Sequence, residues 1–492
     1  MKKKLILFTI VFCIATLITS PNFVPSHGLD SYCNIYGGYE STAIWFLQKG
    51  RVIGALMFYI YSLINLPFDC VGMISALGVN LCLTGAIFVV YNYLSKNIDN
   101  KYVKLSILTL AFTMFYMPLM IEIVMFDEGM VMCFGILMTA FCAKEIARGG
   151  IKHYLLALLF MILSVCSYQG VASFLVPILL LFIAKDFKNN NKDEVICLIK
   201  KLFIAALIYG IAFVLDFGVM KIAESIFGSA NGNIGYVNIK KNIYHIFTFL
   251  LPNGAKELFG YIKPSFYYLL VFISLIFAGI GIFKNSNKLI NIMFLILLIA
   301  SSFLMPFVPN LAMNSEENYM AARTILTLTI LPSVICLITA FKFNFDNKYF
   351  MYILLLFALC LMAIYSYLFY KNLRIDLRRY SEDVGYLKQV NREIEYYEKT
   401  TDKKVKHIYY AFDTDRAYYY PTGYNNGANI RVMAEGWAMK CAVNDYIKKD
   451  YKITYEEMPE DIYNKYFKDK NYNKFDTRQF KFDGDKLYLL IY

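Results

Sequence analysis

A chain of 492 residues that is 58% hydrophobic and only 17% charged does not fold as one soluble domain, and it reads as a polytopic membrane protein. Its net charge of +12 sits largely on lysines in short connections, where it sets orientation and gives no reason to expect nucleic-acid binding. Most apolar segments run for roughly 15 to 25 residues without the alternation of membrane strands, so the spanning elements are helices.

In chain order, spans are expected near Leu5 to Ser20, Cys70 to Leu94, Leu105 to Met120, Gly129 to Ile146, Tyr154 to Ser167 and Val171 to Ala184. Further spans follow near Leu202 to Phe217, Phe266 to Phe283, Ile290 to Phe307, Ile325 to Ala340 and Phe350 to Tyr370, about eleven crossings in all. The apolar stretch from Val52 to Leu66 is read as lying in the outer interface. The opening segment reads as an uncleaved anchor, because Ile18 stands where a signal-peptide cleavage site favours a small residue; a cleaved signal peptide is the alternative.

Lysine and arginine orient these spans. Lys2 to Lys4, Lys96 to Lys104, Lys144 to Lys152, Lys185 to Lys192, Lys284 with Lys288, and Lys342 with Lys348 occupy every second connection, which places those connections and the N-terminus in the cytoplasm. The loops near Asp30, Asp127, Ser167, Ser229 to Lys263 and Asn314 are then external, as is everything after Tyr370. The expected location is the plasma membrane.

Past Tyr370 the composition turns polar and tyrosine-rich. Arg374, Arg378 and Arg379 open an amphipathic helix to about Glu398. A strand at His407 to Phe412, a turn at Pro421 to Gly427, a helix around Met433 to Lys448 and a final strand near Lys486 to Tyr492 follow. The fold class is thus an all-α polytopic membrane domain over residues 1–370 with a small external α/β domain over residues 371–492. Its tyrosines and Trp437 are expected first in core packing, with stacking on sugar faces as the alternative. Most of the 11 cysteines fall inside spans as small hydrophobes. Cys33 and Cys441 are external; no secreted disulfide framework is visible, so they are read as free thiols, with a disulfide between them as the alternative.

Several chemistries lack their residues. There is no phosphate-cradling GxxxxGK[ST] run, no HExxH and no CxxC, and only four histidines, His27, His153, His245 and His407, are scattered along the chain. What remains is a set of charges where hydrophobic segments run out. Asp30 in the first external loop is a candidate general base toward a sugar hydroxyl, or a residue that turns the loop. Asp127 and Glu128 sit between two spans with almost no loop; they can orient an acceptor or hold a divalent cation, or serve as plain interfacial charges. Arg323 opens an apolar span, where a guanidinium can grip a lipid-linked phosphate with two parallel hydrogen bonds or snorkel to headgroups. Lys256 and Lys263 are weaker candidates for the same phosphate. Glu316 and Glu317 complete the external acidic set.

The acid in the first external loop, the stretch from Trp45 to Gly50-Arg51, the Ser167-Tyr168-Gln169 turn, the Ala321-Ala322-Arg323 entry to a late span and the C-terminal external domain together make a layout. That layout, over nearly the whole chain, resembles the bacterial glucosyltransferase II family of the GT-C superfamily. The resemblance implies an enzyme that takes a hexose, with glucose the leading sugar, from undecaprenyl phosphate on the outer face. It attaches that sugar to a cell-envelope glycopolymer. By the same resemblance Asp30 is the base, Asp127 and Glu128 orient acceptor or ion, and Arg323 neutralises the departing phosphate. Arg51, Tyr168 and Gln169 join the substrate-binding set. The first loop departs from the family in carrying one Asp where paired acids are common, which leaves Glu40 as the substitute base.

The chemistry is coherent. Breaking a sugar–phosphate bond builds positive charge on the sugar and negative charge on the phosphate, so fixed carboxylates and a fixed guanidinium lower the barrier from opposite sides. A lipid-linked oligosaccharide flippase or polysaccharide transporter is the alternative class, and it would line a passage with mid-span charges. The mid-span regions here carry few, apart from ends such as Asp216. A glycan polymerase or ligase is a third reading.

Overall fold

The computed structural model describes residues 2–187, 192–228, 237–284, 288–312, 322–342, 348–412, 430–447, 449, 451–468 and 476–491. Its helices are α1 (Lys2–Ile18), α2 (Leu29–Gln48), α3 (Val52–Leu63), α4 (Phe68–Leu94), α5 (Lys101–Phe115), α6 (Ile121–Val124), α7 (Gly129–Arg148), α8 (Ile151–Val165) and α9 (Leu175–Asp186). Next come α10 (Lys192–Phe227), α11 (Ile239–His245), α12 (Leu251–Tyr261), α13 (Pro264–Lys284), α14 (Lys288–Leu304), α15 (Leu331–Lys342) and α16 (Lys348–Thr401). A small sheet follows, with β1 (His407–Phe412), α17 (Gly436–Ile447), β2 (Thr454–Glu457), α18 (Glu460–Tyr466), β3 (Phe480–Asp483) and β4 (Lys486–Ile491).

Seven helices among the described residues are long and apolar enough to cross a membrane: α4, α7, α9 with the 3-10 turn before it, α10, α13, α14 and α16. Helix α5 makes an eighth if it is joined to the segment from Pro118 to Val124, from which it is bent by 43°. Proline causes that bend, because it lacks the N–H the helix needs and clashes with the preceding turn. The other expected crossings fall on shorter pieces. Helix α8 has 15 residues, about 22 Å of rise against a hydrocarbon core of about 30 Å. The expected span at Ile325 to Ala340 divides into a 3-10 turn at Leu326–Leu328 and the 12-residue α15.

Two expected elements merge. The late span and the amphipathic helix after it form the single 54-residue α16, about 81 Å long, so its second half stands well clear of any bilayer. Helix α7 lies at the centre of the bundle, packed on α4, α8 and α9, while α5 packs on α4, α15 and α16. Hydroxyl and amide groups tie the bundle across helices. Asn80 donates to Thr19 at 2.7 Å and accepts from Tyr116 at 3.0 Å, and Thr139 meets Ser164 at 2.7 Å. Each such pair satisfies groups that have no water to turn to.

The sheet has strand order β2-β1-β4-β3, with β1 parallel to both β2 and β4, and β3 antiparallel to β4. Strand β4 alternates as its period of two requires. Leu487, Leu489 and Ile491 pack with Leu387, Val390 and Ile394 of α16 and with α17, while Tyr488 and Leu490 pack with Phe467 beyond α18. The strands at His407 and Lys486 and the helix near Met433 stand where the sequence places them; the turn at Pro421 to Gly427 lies outside the described residues. Trp437 is 47% exposed, so it serves no core. Cys33 of α2 and Cys441 of α17 form a disulfide, with Cα atoms 5.0 Å apart. This replaces the expectation of free thiols: the residue spacing along the chain gave no framework for that bond, and the docking of α17 on α2 creates it.

Candidate functional site

The sheet-bearing end of the bundle gathers most of the expected site residues. Helix α2 ends at Gln48, and Gly50 turns the chain into α3 with a φ of +76°, a conformation that glycine adopts without a steric penalty. A Cβ on Gly50 would stand 2.7 Å from both carboxylate oxygens of Asp216, so this turn also admits a carboxylate from α10. Arg51 follows. Its guanidinium lies over the rings of Trp45, Phe46 and Tyr168, at 5.7, 5.5 and 4.8 Å from their centroids, an aromatic seat for a cation.

Tyr168 and Gln169 lie where α8 gives way to the 3-10 turn at Gln169–Phe174. Gln169 donates to the Lys49 carbonyl at 3.0 Å and to Asp216 Oδ2 at 2.8 Å. Arg323, in the 3-10 turn Ala322–Thr324, donates from Nε to the Tyr168 hydroxyl at 3.2 Å and lies over the Phe126 ring at 4.6 Å. The two turns approach closely at Gly170, where a Cβ would meet Thr324 Cα at 3.4 Å. Tyr168 therefore stands between two guanidinium groups, stacked under one and hydrogen-bonded to the other.

Asp216, which along the chain reads only as a charge at the end of a span, joins this site in the fold. It is 2% exposed, within electrostatic reach of Arg51 and Cys166, and its Oδ1 has no hydrogen-bond partner. Arg51 Nε is likewise buried without one. Buried charge left incompletely satisfied is costly and concentrates at functional positions. The signal in the sequence is a lone carboxylate in the apolar run from Leu202 to Phe217.

Asp127 and Glu128 lie between α6 and α7, next to Phe126, and both are buried. Burial pushes the phenols of Tyr39 and Tyr61 up, and the Asp127 carboxylate adds to the rise, which places Asp127 within electrostatic reach of both rings. Among the described residues no group of three or more His, Cys, Asp or Glu is arranged to hold a metal. A divalent cation at the Asp127–Glu128 pair would draw its further oxygens from substrate or water.

The remaining candidates divide. Asp30 falls in the first turn of α2, after the N-cap Gly28, and its side chain lies outside the described residues, as do Glu316 and Glu317. Glu40 is exposed and accepts from Ser62 at 3.4 Å, in an open cleft it shares with Tyr39 and Asn65. Lys256 is exposed on α12. Helix α12 packs on the turn that carries Arg323. No protein-family model and no curated protein matches this chain.

Proposed function

We propose that this chain is a membrane glycosyltransferase that moves a hexose, with glucose the leading sugar, from a polyprenyl-phosphate carrier to an extracytoplasmic cell-envelope glycopolymer. The observation that carries the reading is the pair of guanidinium groups joined through Tyr168, with a buried carboxylate on one side and the Asp127–Glu128 pair beyond Phe126. Two fixed cations suit a departing lipid phosphate, Arg323 gripping it and Arg51 adding to the field. Fixed carboxylates suit the positive charge that grows on the sugar as the bond to phosphate breaks. The acceptor hydroxyl loses its proton to a carboxylate base, with Asp30 and Asp127 the candidates. In this reading the chain crosses the plasma membrane about eleven times, with the shorter helices tilted or grouped to complete the count, and the sheet lies outside.

The test is transfer of radiolabelled glucose from synthetic polyprenyl-phosphate-glucose to envelope extract by purified protein, beside Arg323→Ala and Asp216→Asn. Transfer by the parent protein and its loss in both folded variants is the expected result. No transfer from any lipid-linked sugar, together with movement of the carrier across liposomes, would replace this reading with that of a flippase.

A further inference from the structure

A second basic cleft, which does not include Arg323 among its lining residues, opens at the end of α12. The cleft, of about 160 Å³, lies where the connection from α12 to α13 meets α16, with Lys263 on one wall and Lys371 and Asn372 on the other. Its floor is apolar, formed by Ile262, Phe266 and Leu368. The two lysines come from segments more than 100 residues apart in the chain, so only the fold brings them to one mouth. Arg374 and Arg378, three and seven residues beyond Lys371, continue the basic stripe along the same face of α16, and both are exposed.

The two helices that flank the cleft, α13 and α16, carry exposed apolar side chains below it. Helices α13 and α16 meet through Phe277, whose ring lies 5.7 Å from Phe350 and 5.3 Å from Phe357. Phe277 sits two-thirds of the way down α13 from the cleft, and both partners lie in the first turns of α16. Nearer the cleft, Leu269 and Phe272 of α13 and Tyr367 of α16 are at least half exposed. Phosphate charge at the mouth and hydrocarbon contact below it are the two halves of a phospholipid.

We propose that this cleft binds the headgroup of a net-anionic membrane phospholipid, its phosphate between Lys263 and Lys371 and its acyl chains against the exposed apolar side chains of α13 and α16. The volume fits a headgroup phosphate and the first methylenes of a tail rather than a larger ligand. Lysines at the bilayer surface attract such headgroups, and the aliphatic stems lie along apolar walls while the ammonium reaches the phosphate. A free phosphate ion would leave the apolar floor without a partner. This inference stands apart from the transferase reading, because it concerns a resident lipid and is read without any transfer assay.

The experiment is native mass spectrometry of the full-length protein, purified in detergent and titrated with phosphatidylglycerol, phosphatidylcholine or inorganic phosphate. The parent protein is expected to retain phosphatidylglycerol in clear preference to phosphatidylcholine, a comparison that needs no variant. The pair Lys263→Gln with Lys371→Gln should weaken that retention about ten- to thirty-fold, and Lys263→Arg with Lys371→Arg should keep it. Equal retention of the two lipids by the parent, undiminished retention by the glutamine pair, or displacement of phosphatidylglycerol by millimolar inorganic phosphate would each overturn the proposal.

Discussion

Two buried clusters of charge in this molecule have the same ingredients and differ in ion pairing. Each leaves one carboxylate oxygen without a hydrogen bond, Asp383 Oδ1 and Asp216 Oδ1, but among the described residues the first pairs its guanidinium groups directly with carboxylates and the second does not. At the junction between α16 and the sheet, Arg379 donates to Asp376 at 2.7 Å and to Asp383 at 3.1 Å, and also reaches the His27 carbonyl at 3.3 Å. Asp383 in turn accepts from the Val432 N–H at 2.9 Å and faces Arg431 at 3.5 Å. At the bundle end, Asp216 is held by Gln169 with the Cys166 thiol beside it, and Arg51 rests on aromatic rings without an ion pair of comparable closeness. The closed cluster fastens the first loop, α16 and the sheet domain together. The open one keeps charge available, which is what a binding or reacting site needs.

The largest effect is expected at the closed cluster. Arg379→Ala leaves two carboxylates buried beside each other and should cost about 3–5 kcal/mol, read as a large fall in melting temperature of the detergent-purified protein. Replacing Cys33 and Cys441 by Ser releases the nearby covalent tie between α2 and α17, and should cost about 2–4 kcal/mol by the same melt. A melting temperature unchanged by either would mean that the sheet domain is held by its apolar contacts alone.

The open cluster should respond in the opposite way. Asp216→Asn keeps the volume and the Gln169 contact but removes the charge, so sugar transfer should fall about a hundred-fold while stability moves by less than about 1 kcal/mol. If stability falls as far as it does for Arg379→Ala and transfer survives, Asp216 belongs with the structural cluster. Gly50→Ala combines a left-handed backbone with a Cβ against the Asp216 carboxylate, and should destabilise by about 1–3 kcal/mol.

The smallest expected effect lies in the sheet domain, at Glu398. Burial works against its ionised form, but Lys449, the Tyr451 hydroxyl and the Val405 N–H together hold its carboxyl below the ordinary 4.5. A carboxyl depressed by folding contributes stability that is present above the unfolded value and lost as pH falls through the folded one. Thermal melts from pH 7 down to pH 3 should therefore show a loss of stability below about pH 4.5 that is weaker in Glu398→Gln.

Much of the architecture was legible along the chain. Long unbroken apolar runs with few charges become long helices because a backbone without water must hydrogen-bond to itself, and the helices at residues 68–94, 129–148 and 264–284 stand close to where hydropathy alone places them. The apolar run at the C-terminus likewise becomes β4, buried on both faces. Hydropathy was blind to continuity and to bends. It divided α16 in two, because polarity changes at Tyr370 while helix propensity does not, and it took the segment through Pro118 as straight.

The site was legible as a list of residues and not as an arrangement. Arg51, Tyr168, Gln169 and Arg323 carry polar chemistry at the ends of apolar runs, and that much a sequence displays. Their meeting depends on contacts between segments about 120 to 270 residues apart, which no local pattern encodes. The same holds for the Cys33–Cys441 bond, for the Arg379 cluster and for Asp216, whose importance lies in the groups that gather around it, Gln169, Cys166 and Arg51. Composition and hydrophobic period determined that this chain is a helical membrane protein with a small sheet, because burial of apolar surface depends on local patterning. Tertiary packing alone decided which charges are satisfied, because that is a property of neighbours in space.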